Sequence, residues 1–122
     1  MKKKSKTNSM YKLPANIKTK WLAALRSGKY AQADGRLVRR NLCDEPSYCC
    51  LGVLGKVCGI SDDSMLGLGF LDEITVENKL PKFAVQPIRD EDDNQTIIEK
   101  LADMNDNGRS FKQIAAYIDR YL

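Results

Sequence analysis

The sequence predicts a small α+β domain of about four helices with a short antiparallel β-hairpin or small sheet. Three features carry that expectation. An apolar segment, Tyr48 to Gly59, sits mid-chain with one charge, two interior glycines and three of the four cysteines. Apolar residues repeat with a helical period before it and again near the C-terminus. Between the first helical stretch and the apolar segment the period is lost in an arginine-rich run. With 122 residues, one core can form without disulfide staples.

Taken in order, residues 1–12 read as a disordered basic arm and 13–122 as a single globular domain. Pro14 suits a first helical turn, where its missing donor is not needed. Ile17, Trp21, Leu22 and Leu25 then share a face and Gly28 follows the last turn, so residues 15–27 predict an amphipathic helix packed by Trp21. Tyr30–Ala33 and Arg36–Leu42 flank Asp34-Gly35, a dipeptide suited to a tight hairpin turn. The apolar segment follows as a helix over 48–59. Cys50 or Leu51, Leu54, Val57 and Cys58 form its stripe. Cys49, Gly52 and Lys56 form a side of mostly small residues that lets a neighbour approach closely, within the chain or from a second subunit as a homo-oligomer. Gly59 supplies the stop.

Ser61–Ser64 and Gly67-Leu68-Gly69 mark a loop, in which Asp62 and Asp63 lack EF-hand spacing. Residues 70–76 suggest a further strand, and 80–85 a turn of helix or a covering loop. Asp90–Asp93 reads as an acidic run capping a helix that carries Ile97, Ile98, Leu101 and Met104. Asn105–Gly108 ends it. Ser110 with Gln113 makes a capping box for the last helix, whose core set is Phe111, Ile114, Ala115, Ile118 and Leu122.

The net charge is +4, but Lys2, Lys3, Lys4 and Lys6 supply four of the 20 basic residues. The body is therefore formally neutral, and the arm offers weak, salt-sensitive contact with nucleic acid rather than a basic reading face. No apolar run reaches the length of a membrane span, and polar residues follow the first lysines, so neither a membrane segment nor a signal peptide is expected. The four cysteines lack a paired framework and read as free, mostly buried thiols of a reducing compartment. No metal site and no cofactor is implied.

The chain contains no histidine, which removes the Ser-His and Cys-His arrangements. Asp34, Asp44, Asp103 and Asp106 are the carboxylates a hydrolase would draw on, without a diagnostic spacing. No phosphate-cradling glycine loop is present. The C-terminal hairpin invites a helix-turn-helix reading, yet few side chains suited to reading bases lie on its last helix. Outside the arm, one cluster suits an anionic ligand: Arg36, Arg39 and Arg40 for phosphate, with Tyr30 or Tyr48 for stacking on a base.

Two segments, Tyr48-Cys-Cys-Leu-Gly-Val-Leu54 and Leu101-Ala-Asp-Met-Asn-Asp-Asn-Gly-Arg-Ser-Phe-Lys-Gln-Ile-Ala115, resemble the signatures of small, largely uncharacterised proteins of tailed phages and prophages. Trp21–Tyr30 is similar as well. Neither residues 61–93 nor the lysine arm contributes to the resemblance. The resemblance implies a phage accessory product acting in the bacterial host cytoplasm and carries over no catalytic residue. The expected function is host interaction or counter-defence, by sequestering a nucleotide-type immune signal or inhibiting a bacterial defence protein. The alternatives are a nucleic-acid-associated phage regulator using the lysine arm and a carboxylate-based hydrolase.

Overall fold

A computed structural model describes residues 11–71, 80–86, 88, 89 and 95–122. Four helices of eight or more residues form the body: α1 (Ala15–Arg26), α2 (Cys50–Val57), α5 (Ile97–Asp106) and α6 (Phe111–Tyr121). Two single turns, α3 (Asp62–Met65) and α4 (Lys82–Val85), and one antiparallel pair, β1 (Val38–Arg40) with β2 (Pro46–Tyr48), complete the described elements. The architecture is the expected α+β domain. Its core is one cluster running from Leu13 to Leu122.

Helix α2 is the element around which the others pack. Every residue from Cys50 to Gly55 is buried, and α1, α5, α3 and β2 all contact it. Trp21 of α1 is fully buried, and its indole Nε1 donates to the Cys50 carbonyl oxygen at 3.0 Å. That bond satisfies the one polar atom of a side chain whose ring otherwise stacks on Phe83, centroids 5.8 Å apart. Of the expected small-residue side, Gly52 is used internally, and Gly55, outside that side, makes a second close approach. A Cβ at Gly52 would collide with the Leu37 carbonyl, and one at Gly55 with the Met65 thioether. Gly59, at φ +90°, ends the segment in the left-handed conformation anticipated for it. The helix begins at Cys50 rather than Tyr48, because Tyr48 continues β2 opposite Val38 and Cys49 takes the extended N-cap conformation.

The hairpin lies further along the chain than Asp34-Gly35. Residues 41–45 make its turn: the Asn41 side-chain oxygen accepts from the amides of Cys43 and Glu45, each at 2.9 Å, and Asp44 adopts φ +63°. Residues 30–33 instead run alongside β2, with Tyr48 N–H donating to Ala31 O and Ala33 N–H to Tyr48 O. Gly35 does take a positive φ, +76°, but at a corner between segments.

At the C-terminal end, Ser110 and Gln113 form the capping box the spacing predicts, and Phe111, Ile114, Ala115, Ile118 and Leu122 are all buried. Helix α5 is capped differently from expectation. Thr96 and Glu99 make a reciprocal capping box there, and backbone and side-chain bonds to Thr96 lower the Glu99 carboxyl pKa. Residues 90–93, read as the capping run, lie outside the described residues, as does most of the strand suggested over 70–76; Leu71 sits in a helical turn with its side chain in the core. The 80–85 island is the single turn α4. The thiols are all free: Cys49 and Cys50 are buried as small apolar groups, Cys58 is half-buried and Cys43 is exposed.

Candidate functional site

A polar concavity lies where the 32–34 segment crosses the α5–α6 turn. Its organiser is Asn105, on the last turn of α5 and only 3% exposed. The Asn105 side-chain oxygen accepts from Cys50 N–H at 3.1 Å and from Gln32 Nε2 at 2.9 Å, while its Nδ2 donates to Ala33 O at 2.6 Å. One amide thus satisfies a first-turn donor of α2 and fixes the crossing segment. Gln32 extends the network, donating to Arg109 O at 2.7 Å and accepting from Phe111 N–H at 3.2 Å. Gly35 N–H donates to the Asp106 carboxylate at 2.8 Å. The result is a solvent-open cleft of about 330 Å³ lined by Gln32, Ala33, Asp34, Asn105, Gly108 and Arg109.

The three arginines singled out from sequence divide between two places. Arg36 Nη1 donates to Gly35 O at 2.7 Å and Arg39 Nε to Asp34 O at 2.8 Å, which brings both guanidinium groups to the corner beside the cleft. A Cβ on Gly35 would lie 3.2 Å from Arg39 Nη2, so that group lies directly against the corner backbone. Arg40 follows Arg39 on a strand and projects to the other face. There it meets Asp44 at 3.5 Å, Asp63 at 3.8 Å and Asp62 at 3.9 Å, three carboxylates that offset its charge. Lys56 pairs with Asp62 at 3.1 Å in the same group.

The two tyrosines meet edge to face, with centroids 5.2 Å apart. Tyr30 is half-buried, whereas Tyr48 is 6% exposed. The Tyr48 hydroxyl donates to Asp62, and burial, reinforced by that carboxylate, pushes its pKa up to about 12. Its face is therefore less accessible than that of Tyr30. Among the four candidate carboxylates, Asp34 and Asp106 approach the cleft. Asp44 sits at the hairpin turn, and Asp103 accepts from Gln95. No three potential metal ligands converge among the described residues.

Sequence reasoning missed Gln32, Asn105 and Arg109. For Asn105 a signal existed: it continues the line of Ile97 and Leu101 at steps of four and so falls on the buried face of α5. Its position in an Asn-Asp-Asn-Gly run disguised it as part of a turn. Gln32 carries no such mark, because only the crossing of two distant segments gives it partners.

Residues 13–66 match a family described as Domain of unknown function (DUF8296). The match spans α1 through α3, including the arginine hairpin, and stops before the α5–α6 pair that completes the cleft. No curated protein and no solved structure matches the chain.

Proposed function

We propose that this chain is a phage-encoded counter-defence protein of the bacterial host cytoplasm that works by binding, and that it holds a nucleotide-type anion at the cleft between the 32–34 segment and the α5–α6 turn. The observation that supports this reading is a polar cleft lined by Arg109 and cross-braced by Asn105 and Gln32, next to the 34–35 corner whose carbonyls hold Arg36 and Arg39. Guanidinium groups bind phosphate oxygens directionally, and the two on the corner are already oriented by backbone carbonyls. Side-chain and main-chain amides in the walls suit a sugar or base edge, and Tyr30 offers an accessible ring for stacking. Arg40 and Tyr48 contribute indirectly in this reading, since three carboxylates surround the first and the second supports Tyr30. Binding without turnover is consistent with the lack of histidine.

The test is native mass spectrometry of the protein recovered from phage-infected cells, before and after denaturation, followed by calorimetry with the released compound. A bound mass of a few hundred daltons, with affinity lowered at least about tenfold by Arg39→Ala or Arg109→Ala, is the expected result. A ligand-free protein, or binding indifferent to both substitutions, removes the assignment.

A second reading, inhibition of a host defence protein, draws on the hairpin turn. Leu42 is fully solvent-exposed at 107% of its reference area, on a loop held by the Asn41 side chain. A preorganised apolar tip loses little entropy on docking. Recovery of a host protein with the wild-type chain but not with Leu42→Asp supports that mode.

A further inference from the structure

In the cleft, the side chains that brace the walls and the side chains left for a ligand are different ones. Gln32 Nε2 has both its protons committed, to the Asn105 side-chain oxygen at 2.9 Å and to Arg109 O at 2.7 Å. Asn105 Nδ2 donates to Ala33 O at 2.6 Å, with the Asp106 carboxylate 3.5 Å away. The Gln32 oxygen accepts from Phe111 N–H, and that of Asn105 from Cys50 N–H. Two charged lining groups remain. The Asp34 carboxylate on the crossing segment and the Arg109 guanidinium on the α5–α6 turn are both exposed, and neither makes a hydrogen bond or ion pair with the described residues.

These two groups sort a nucleotide into its parts. A bare carboxylate repels phosphate and only accepts hydrogen bonds, so the portion of the ligand set against Asp34 must be rich in donors. Guanine is the one common base with two adjacent N–H donors on an edge, N1–H and N2–H, which match the two oxygens of a carboxylate. Adenine and cytosine place a donor beside an acceptor there, and uracil and thymine flank their one N–H with carbonyls. Phosphate in turn suits Arg109, whose guanidinium offers a planar fork of donors. The braces hold Ala33 O, next to Asp34, and Arg109 O itself, so the backbone carrying both groups is fixed before a ligand arrives.

We infer that the cleft selects guanine among the bases, with the Asp34 carboxylate accepting from N1–H and N2–H and the Arg109 guanidinium holding phosphate. The inference rests on the nucleotide reading of the cleft and narrows it to guanine nucleotides. Asp34 is the specificity-determining residue, because it rewards two donors and leaves any acceptor placed against it unpaired.

Calorimetry with the full chain and guanosine, adenosine, inosine and xanthosine monophosphates, all at one salt concentration, tests it. The guanosine compound should bind at least about tenfold more tightly than the adenosine compound, and inosine monophosphate, which lacks the N2 amino group, should fall between them. Asp34→Asn should weaken the guanosine compound at least about tenfold and strengthen xanthosine monophosphate, whose N1–H and C2 carbonyl match a carboxamide as N1–H and N2–H match a carboxylate. Because the Asp34 side chain bonds to none of the described residues, this variant should melt like wild type. Arg109→Ala should lower affinity for the four compounds alike. Equal affinity for the guanosine and adenosine compounds, both weakened by Arg109→Ala, overturns guanine selection and leaves the anion site standing. An Asp34→Asn variant that keeps the wild-type order of affinities overturns the role of Asp34, and absence of binding by all four compounds overturns guanine selection together with the anion site.

Discussion

Replacing Gly52 by alanine sets two effects of opposite sign against each other, and the structure decides which prevails. Alanine is favoured over glycine inside a helix by about 1 kcal/mol, so propensity alone predicts stabilisation. The new Cβ, however, would stand 2.9 Å from the Leu37 carbonyl carbon and closer still to its oxygen. Leu37 O accepts from Cys49 N–H, and Leu37 N–H donates to Leu68 O at 2.7 Å, so the obstacle is bonded backbone on both sides. Relief requires the backbone leading into β1 to retreat by about 1 Å, with loss of at least the Cys49 bond. Overpacking of about 3 kcal/mol plus a lost hydrogen bond of about 1 kcal/mol outweighs the propensity gain and leaves a net cost of about 3 kcal/mol. Gly55→Ala is the internal control. Its Cβ meets the Met65 thioether and lies 3.3 Å from Leu71 Cδ2, both side-chain atoms that can turn aside. It should cost about 1 kcal/mol. Urea denaturation followed by far-ultraviolet circular dichroism measures both. If Gly52→Ala were neutral or stabilising, or cost less than Gly55→Ala, the close approach of α2 to Leu37 would be wrong.

Further outcomes follow from the same geometry. Asn105→Ala leaves Cys50 N–H and Ala33 O without their partner in a buried site and should cost about 3 kcal/mol in a urea melt, with Asn105→Asp restoring only part of it. Thr96→Ala and Ser110→Ala each remove an N-cap acceptor and should cost about 1 kcal/mol apiece, additively, since they cap different helices. At pH 8 a chromogenic disulfide reagent should modify Cys43 first and Cys58 more slowly, with Cys49 and Cys50 reacting only on unfolding, as mass mapping of the adducts would show. Burial raises the Cys49 thiol from 9.0 to about 11, so the folded chain keeps a proton that the unfolded chain releases. Its contribution is therefore intact below about pH 9 and lost between about pH 9 and 11, and the urea midpoint should fall across that window.

Much of the fold was legible in the residues because it rests on local rules. The α1 face, the capping box of α6, its buried set and the Gly59 stop each depend on side chains within one or two turns of each other, where spacing alone fixes geometry. The close approach at Gly52 was legible as well, since a small residue in an apolar helix invites a neighbour. The hairpin was misplaced because Asp34-Gly35 is the stronger local turn signal, yet its amide and its segment are held by Asp106, Asn105 and Arg109, more than seventy residues away.

What sequence by itself determined is an α+β domain with its most apolar helix inside, free thiols and an arginine-rich segment beside aromatic residues. Only the tertiary structure decided how those arginines are shared out. A strand turns neighbouring side chains to opposite faces, so Arg39 joins Arg36 at the 34–35 corner while Arg40 is drawn into a carboxylate cluster. Likewise only the crossing of distant segments made Asn105 a buried hub, because a polar side chain can leave water only where partners from several elements converge on it.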